Sequence, residues 1–300
     1  MRIYNNVIET IGNTPLVRIN KMIGVPGVTV LAKLEGGNPS GSVKDRIALK
    51  MLNQAEEEGA LRPGKTIIEA TSGNTGIAIA LIGGLKGYEV EIVMSESVSI
   101  ERRKVLKAYG AKVILTPANE GTDGAIREVR KRVAAEPERY FSPDQFTNKY
   151  NKLAHYATTA EEILKDTDNR VTHYVSAIGT SGTLMGVGKR LKEYNSDIRI
   201  VAAEPELHHR IQGLKNMKEA IVPEIYDPGQ IDEHIIIATE DAYEMARRLA
   251  KEEGIFYGMS SGAAMMAARE VAKHAQAGSV IVVLLADRGE KYLSTELYAQ

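Results

Sequence analysis

Short, nearly all-apolar runs alternate with helical patterns along most of the chain. "VTVLAKL" (28–34), "TIIEA" (66–70), "EVEIVM" (89–94), "AKVILT" (111–116), "VTHYVSA" (171–177), "IRIVAAE" (198–204) and "SVIVVLLA" (279–286) read as strands. Between them the periodicity predicts helices over 43–58, 74–86, 99–109, 121–135, 183–194, 240–253 and 261–275. Strands without a polar face, separated by helices, are parallel strands covered on both sides. The expected fold class is therefore α/β. The alternation breaks at "EPERYFSPDQF" (136–146), where two prolines and polar residues interrupt it, so two halves are expected to meet near residue 145.

Composition narrows the choice of chemistry. The 38 basic and 39 acidic residues leave a formal net charge of -1, so no global field favours nucleic acid or an anionic membrane. Cysteine is absent, which excludes disulfides, thiolate metal sites and cysteine nucleophiles. The start "MRIYNNVIETIGNTPL" lacks a signal-peptide pattern, and no apolar run approaches the ~20 residues of a membrane span. A cytoplasmic enzyme or binding protein is the expectation. His208 and His209 are adjacent in a loop with no third ligand near them, so they read as surface residues and no metal site is assigned.

Two strand-to-helix junctions share one design, "EATSGNTGIAIA" (69–80) and "SAIGTSGTLMGVG" (176–188). Each passes from a buried strand through Gly, Ser, Thr and Asn into a small-residue helix. Helix N-termini present unpaired N–H groups, and glycine lets an anion approach them. Either loop alone is equally a set of helix caps. Together they suggest one ligand with two anionic ends, or two ligands. Neither matches a nucleotide motif: "GTLMGVGKR" (182–190) has the wrong spacing for a phosphate-binding Walker loop.

A lysine opens the first predicted helix, in "NPSGSVKDR" (38–46). Ser42 and Asp45 have capping-box spacing, which makes Lys44 a solvated charge at the second helical position on the plain reading. A cation there is opposed by the helix dipole. The same repulsion, with partial burial, would lower its pKa and leave more neutral amine for attack on a carbonyl. Two anion loops and an activated lysine suit a pyridoxal phosphate enzyme.

The set "TIGNTPLVRI" (10–19), "NPSGSVKDR", "EATSGNTG", "AIGTSGT" and "GMSSGAA" (258–264) resembles the cysteine synthase family, pyridoxal phosphate enzymes of fold type II. "ERRKVLKAYGAKVIL" (101–115), "AHYATTAEEI" (154–163) and "DRGEKYLST" (287–295) extend the resemblance along essentially the whole chain, closest to the cysteine synthase B branch. It implies a tryptophan synthase β-like fold of two mostly parallel, helix-flanked sheets. A smaller, mobile domain is expected over 36–145, with 1–35 and 146–300 forming a larger one that holds the cofactor phosphate.

Residue by residue, the resemblance makes Lys44 the Schiff-base lysine and Asn74 the partner of the cofactor's ring hydroxyl. Gly179, Thr180, Ser181, Gly182 and Thr183 match the phosphate loop, with Ser181 where the family often has glycine. Ser260 matches the partner of the pyridine nitrogen, with Ser261 as its adjacent alternative. Thr71, Ser72, Gly73, Thr75 and Gln145 match the cradle for the substrate carboxylate. Lys215 stands where relatives carry an arginine near the substrate, and Arg210 is a second candidate there. The implied reaction is β-replacement through an aminoacrylate, with acetate leaving O-acetyl-L-serine or phosphate leaving O-phospho-L-serine. Sulfide, thiosulfate or a protein thiocarboxylate is the donor, giving L-cysteine or S-sulfocysteine. Cystathionine β-synthase chemistry is the enzymatic alternative, and a silent regulatory homologue the non-enzymatic one. A homodimer is implied, without a stable serine acetyltransferase complex.

Overall fold

The computed structural model describes residues 3–71, 73–98 and 100–298. In chain order it begins with strands β1 (Leu16–Arg18) and β2 (Thr29–Leu34), then helix α1 (Lys44–Glu57). Next come β3 (Thr66–Ala70), α2 (Asn74–Leu85), β4 (Glu89–Ser95), α3 (Ile100–Ala108), β5 (Lys112–Thr116), α4 (Gly121–Ala135) and β6 (Tyr140–Phe141). Helices α5 (Lys149–Ala157) and α6 (Thr159–Asp166) follow, then β7 (His173–Ala177), α7 (Gly182–Tyr194), β8 (Arg199–Pro205) and β9 (Glu233–Ile237). The chain closes with α8 (Thr239–Glu253), α9 (Met259–His274) and β10 (Val280–Leu285).

These elements form two compact units, one of residues 1–11 and 44–150, the other of residues 12–43 and 151–300. The first unit holds a wholly parallel sheet in the order β5-β4-β3-β6. β3 is buried along its whole length and β4 everywhere but its first residue, as strands covered on both faces must be. Ile67, Ile77, Ile79, Ile82 and Ile92 pack its main core, where α2 is apolar all round.

The second unit holds a six-stranded sheet, β1-β2-β10-β7-β8-β9. It is parallel except for β1, which runs antiparallel to β2 at one edge. Its two faces carry separate cores, one around α8 and α9 and one around α7. The fold is α/β, as the strand pattern predicts. Three strands escaped that pattern because they are short or half-exposed: β1 and β6 span 3 and 2 residues, and β9 buries only Ile237. α5 escaped because its buried face includes Asn151 and His155. Among the described residues no helix is long and apolar enough to cross a membrane.

Candidate functional site

In each sheet the chain reverses its path across the strands once. β3, β4 and β5 proceed one way, and β6 returns to the other side of β3; β7, β8 and β9 proceed one way, and β10 returns to the other side of β7. Open α/β sheets bind ligands at the carboxyl ends of strands that flank such a reversal. In the first unit the flanking loops are "TSGNTG" after β3 and the turn after β6 that carries Gln145. In the second they are "GTSGT" after β7 and "DRGEK" after β10. Topology therefore puts both anion loops where ligands bind.

The first unit assembles most of the predicted carboxylate cradle. The Thr71 N–H donates to the Val93 carbonyl at 3.0 Å, and its Oγ1 accepts the Gly73 N–H at 3.3 Å. Asn74 begins α2 and is half-buried. The Thr75 hydroxyl donates to Gln145 Oε1 at 2.7 Å, both side chains being buried. Ser72 lies outside the described residues. A Cβ on Gly73 would stand 3.3 Å from Nη1 of the buried Arg102, so a guanidinium backs this loop.

Glu69 was not anticipated, though a lone acid in an apolar strand is a visible signal. It is 2% exposed, and its Oε2 and Oε1 accept the N–H groups of Asp144 at 3.0 Å and Gln145 at 3.3 Å. Burial pushes its carboxyl up to about 8, more than those hydrogen bonds pull it down, and the charge of Asp144 adds to the rise. Arg130 lines the same small cavity beside it.

In the second unit the GTSGT loop leads from β7 into α7. Ser181 has φ 67°, left-handed backbone that favours glycine, which accounts for the glycine common at this position in the resembling family. Its hydroxyl oxygen is buried and has no hydrogen-bond partner among the described residues. The buried Asn151 Nδ2 donates to Thr180 Oγ1 at 3.2 Å, and fully buried His155 places Nε2 3.1 Å from Thr183 Oγ1 and Nδ1 3.0 Å from Thr159 Oγ1. A Cβ on Gly179 would come 2.5 Å from the Gly213 carbonyl, and one on Gly182 would overlap the Asn151 amide. An orphaned hydroxyl, two oriented threonines and the start of a 13-residue helix suit a phosphate group. His155 and Asn151 belong to the "NKLAHYA" stretch, whose polar buried face no apolar periodicity reveals.

The two candidate serines separate by their bonding. Ser261 is fully buried and its Oγ accepts the Ala286 N–H at 3.0 Å. Ser260, the second residue of α9, keeps its hydroxyl without a hydrogen bond among the described residues. Lys215 is half-buried; its N–H donates to the Ile178 carbonyl at 2.9 Å and its Nζ to the Ile221 carbonyl at 3.3 Å. Arg210 is exposed and paired with Glu240 at 2.6 Å and Glu296 at 3.2 Å.

Lys44 is the first residue of α1 rather than the second, and it is half-buried. Asp45 and Arg46 are buried at 0% and 3% exposure, so this is no solvated helix start. The segment leading to it is tied down within the second unit. Thr14 and Asn38 side chains donate to the fully buried Glu35 at 2.6 and 2.9 Å. Arg288 Nε donates to the Gly36 carbonyl at 2.7 Å, and Lys291 Nζ to the Ser40 carbonyl at 3.1 Å. Ser42 pairs with Asp287 in an antiparallel bridge, and the Val43 N–H donates to the Ala286 carbonyl at 2.9 Å.

Residues 7–287 match the family described as pyridoxal-phosphate dependent enzyme. The chain is similar to a cysteine synthase of Aquifex aeolicus, 48% identical over 98% of this chain and 92% of the relative. It is 44% identical to cysteine synthase B of Escherichia coli, over 97% of this chain and 95% of the relative. The crystal structure of cysteine synthase from Entamoeba histolytica superposes with a TM-score of 0.94 at 45% identity, covering 99% of this chain and 91% of that one.

Two outcomes follow from this geometry. Gly182→Ala is expected to displace the Asn151 amide from Thr180, weakening pyridoxal phosphate binding by about tenfold or more and destabilising the protein by about 1–3 kcal/mol. Fluorescence titration and chemical denaturation measure both, and unchanged values contradict the arrangement described. Between pH 4.5 and about 8 the folded protein keeps the Glu69 proton that the unfolded chain has released. Stability from this group is thus greatest below 4.5 and is lost as pH rises through about 8. Denaturation midpoints across that window should fall more steeply for the wild type than for Glu69→Gln; parallel profiles would refute the assignment.

Proposed function

The chain belongs to the cysteine synthase family of pyridoxal-phosphate dependent enzymes, and from that premise we propose that it makes L-cysteine by β-replacement on an activated serine. The observation that carries this reading furthest is the loop at the start of α7, where the buried Ser181 hydroxyl has no hydrogen-bond partner among the described residues. Ser181 and the flanking Gly179, Thr180, Gly182 and Thr183 hold the cofactor phosphate, with Asn151 and His155 fixing the two threonines. When bound, the cofactor supplies an aldehyde and an electron-withdrawing ring that acidifies the substrate Cα–H and eases departure of the β-substituent.

Lys44 would contribute the amine that holds that aldehyde, and the same amine is the base that would take up the substrate Cα proton. Asn74 binds the ring hydroxyl. Ser260 would serve the ring nitrogen as a neutral partner, which would favour coupling proton removal to loss of the leaving group. Ser261 is committed to Ala286 and does not compete for that role. Thr71, Ser72, Gly73, Thr75 and Gln145 hold the substrate carboxylate, and Lys215 lies toward the leaving group.

O-acetyl-L-serine is the first substrate in this reading and sulfide the donor. Arg210, the other candidate for a phosphorylated leaving group, is already neutralised by two carboxylates. Lys215 alone offers a point charge rather than a bidentate fork. The enzyme works in the cytoplasm as a homodimer without a stable serine acetyltransferase complex. Sedimentation with and without that acetyltransferase checks both statements: a monomer contradicts the first, co-sedimentation the second.

Lys44→Ala is expected to lower turnover by about 10³-fold or more while leaving thermal unfolding unchanged. Borohydride reduction of the loaded wild type should leave the cofactor's mass on the peptide containing Lys44. Wild-type turnover in the variant, or labelling at another lysine, would overturn the assignment.

A further inference from the structure

We propose that Glu69 is a positioning residue for the amino-acid substrate: it fastens the turn at 142–145 so that Gln145 stays against Thr75. This rests on the reading above in which Gln145 and the loop after β3 take the substrate carboxylate. No step of the reaction uses Glu69.

Sheet geometry creates the need for such a fastener. β6 pairs with β3 only through Tyr140 opposite Thr66 and Phe141 opposite Ile67. Continuing that register would put Pro143 opposite Glu69, and proline has no N–H to donate. The ladder therefore ends before it reaches Gln145. Asp144 then takes φ 46°, a left-handed conformation that a non-glycine residue rarely holds unaided.

The Glu69 side chain takes over where the backbone ladder stops. Its oxygens accept the Asp144 N–H at 3.0 Å and the Gln145 N–H at 3.3 Å, with the Ser142 hydroxyl at 3.5 Å. Among the described residues, every hydrogen-bond partner of this carboxyl lies on that one turn. Gln145 is consequently held from both ends, its N–H on Glu69 and its Oε1 on the Thr75 hydroxyl. A buried carboxyl that only filled space would be the most unfavourable choice for an otherwise apolar strand.

The test separates oxygen acceptors from volume. Glu69→Met keeps the length and removes both acceptors; Glu69→Asp keeps both acceptors and removes volume. In the Met variant, amide exchange of peptide 142–147 in cofactor-free protein should speed up by about tenfold or more, and the Kd for L-serine in the loaded protein should rise by a similar factor. Cofactor affinity should move by less than about threefold, and the Asp variant should lie closer to wild type than Met does. Wild-type exchange and affinity in Glu69→Met, or a Met variant nearer wild type than Asp, overturns the proposal. If Met prevents folding, Glu69→Gln, which keeps one acceptor, is read for the same directions. Gln145→Ala serves as the control: unchanged L-serine binding there removes the underlying carboxylate reading. Weakened binding there with no effect at Glu69 removes this proposal alone.

Discussion

Everything functional in this chain depends on one constraint of parallel sheets. Each strand ends where the next helix begins, so unpaired N–H groups gather along one edge of the sheet. Where the strand order reverses, the loops part and leave those groups exposed to a ligand. In this protein the reversals fall beside β3 in one sheet and beside β7 in the other. The two loops richest in small hydroxyl-bearing residues follow those two strands. Helix N-termini placed in this way are suited to anionic groups.

Polar burial then fixes the loops in place. The GTSGT loop rests on Asn151 and His155, both fully buried. The approach to Lys44 rests on Glu35, Arg288 and Lys291, which bind side chains and carbonyls between residues 14 and 41. The turn carrying Gln145 rests on Glu69. Such groups are costly to bury unless their hydrogen bonds are made, so they specify loop geometry more than they add stability.

Sequence patterning revealed the α/β alternation because buried parallel strands leave an unbroken apolar signature. "TIIEA" coincides with β3 and residues 121–135 with α4, residue for residue. Strand β9 was illegible because only Ile237 of its five residues is buried. α5 was illegible because its inward face carries Asn151 and His155. The chemistry divides in the same way. Lys44 and the two glycine- and hydroxyl-rich loops stand out in the sequence by residue type and position, and Ser260 by resemblance to a family. The supporting residues Glu69, Asn151 and His155 do not, because only a folded sheet brings them to the loops they hold. Bonding also separates Ser260 from Ser261, which adjacency in sequence could not do.

β-Replacement, as proposed, divides into two half-reactions, and the cofactor's own absorption reports on both. The decisive measurement is the visible spectrum of the loaded protein as O-acetyl-L-serine and then sulfide are added. The expected result is a band that shifts on addition of the ester and returns on addition of sulfide, with L-cysteine formed in equal amount. A spectrum indifferent to the ester, or one that shifts and returns without L-cysteine, would contradict it.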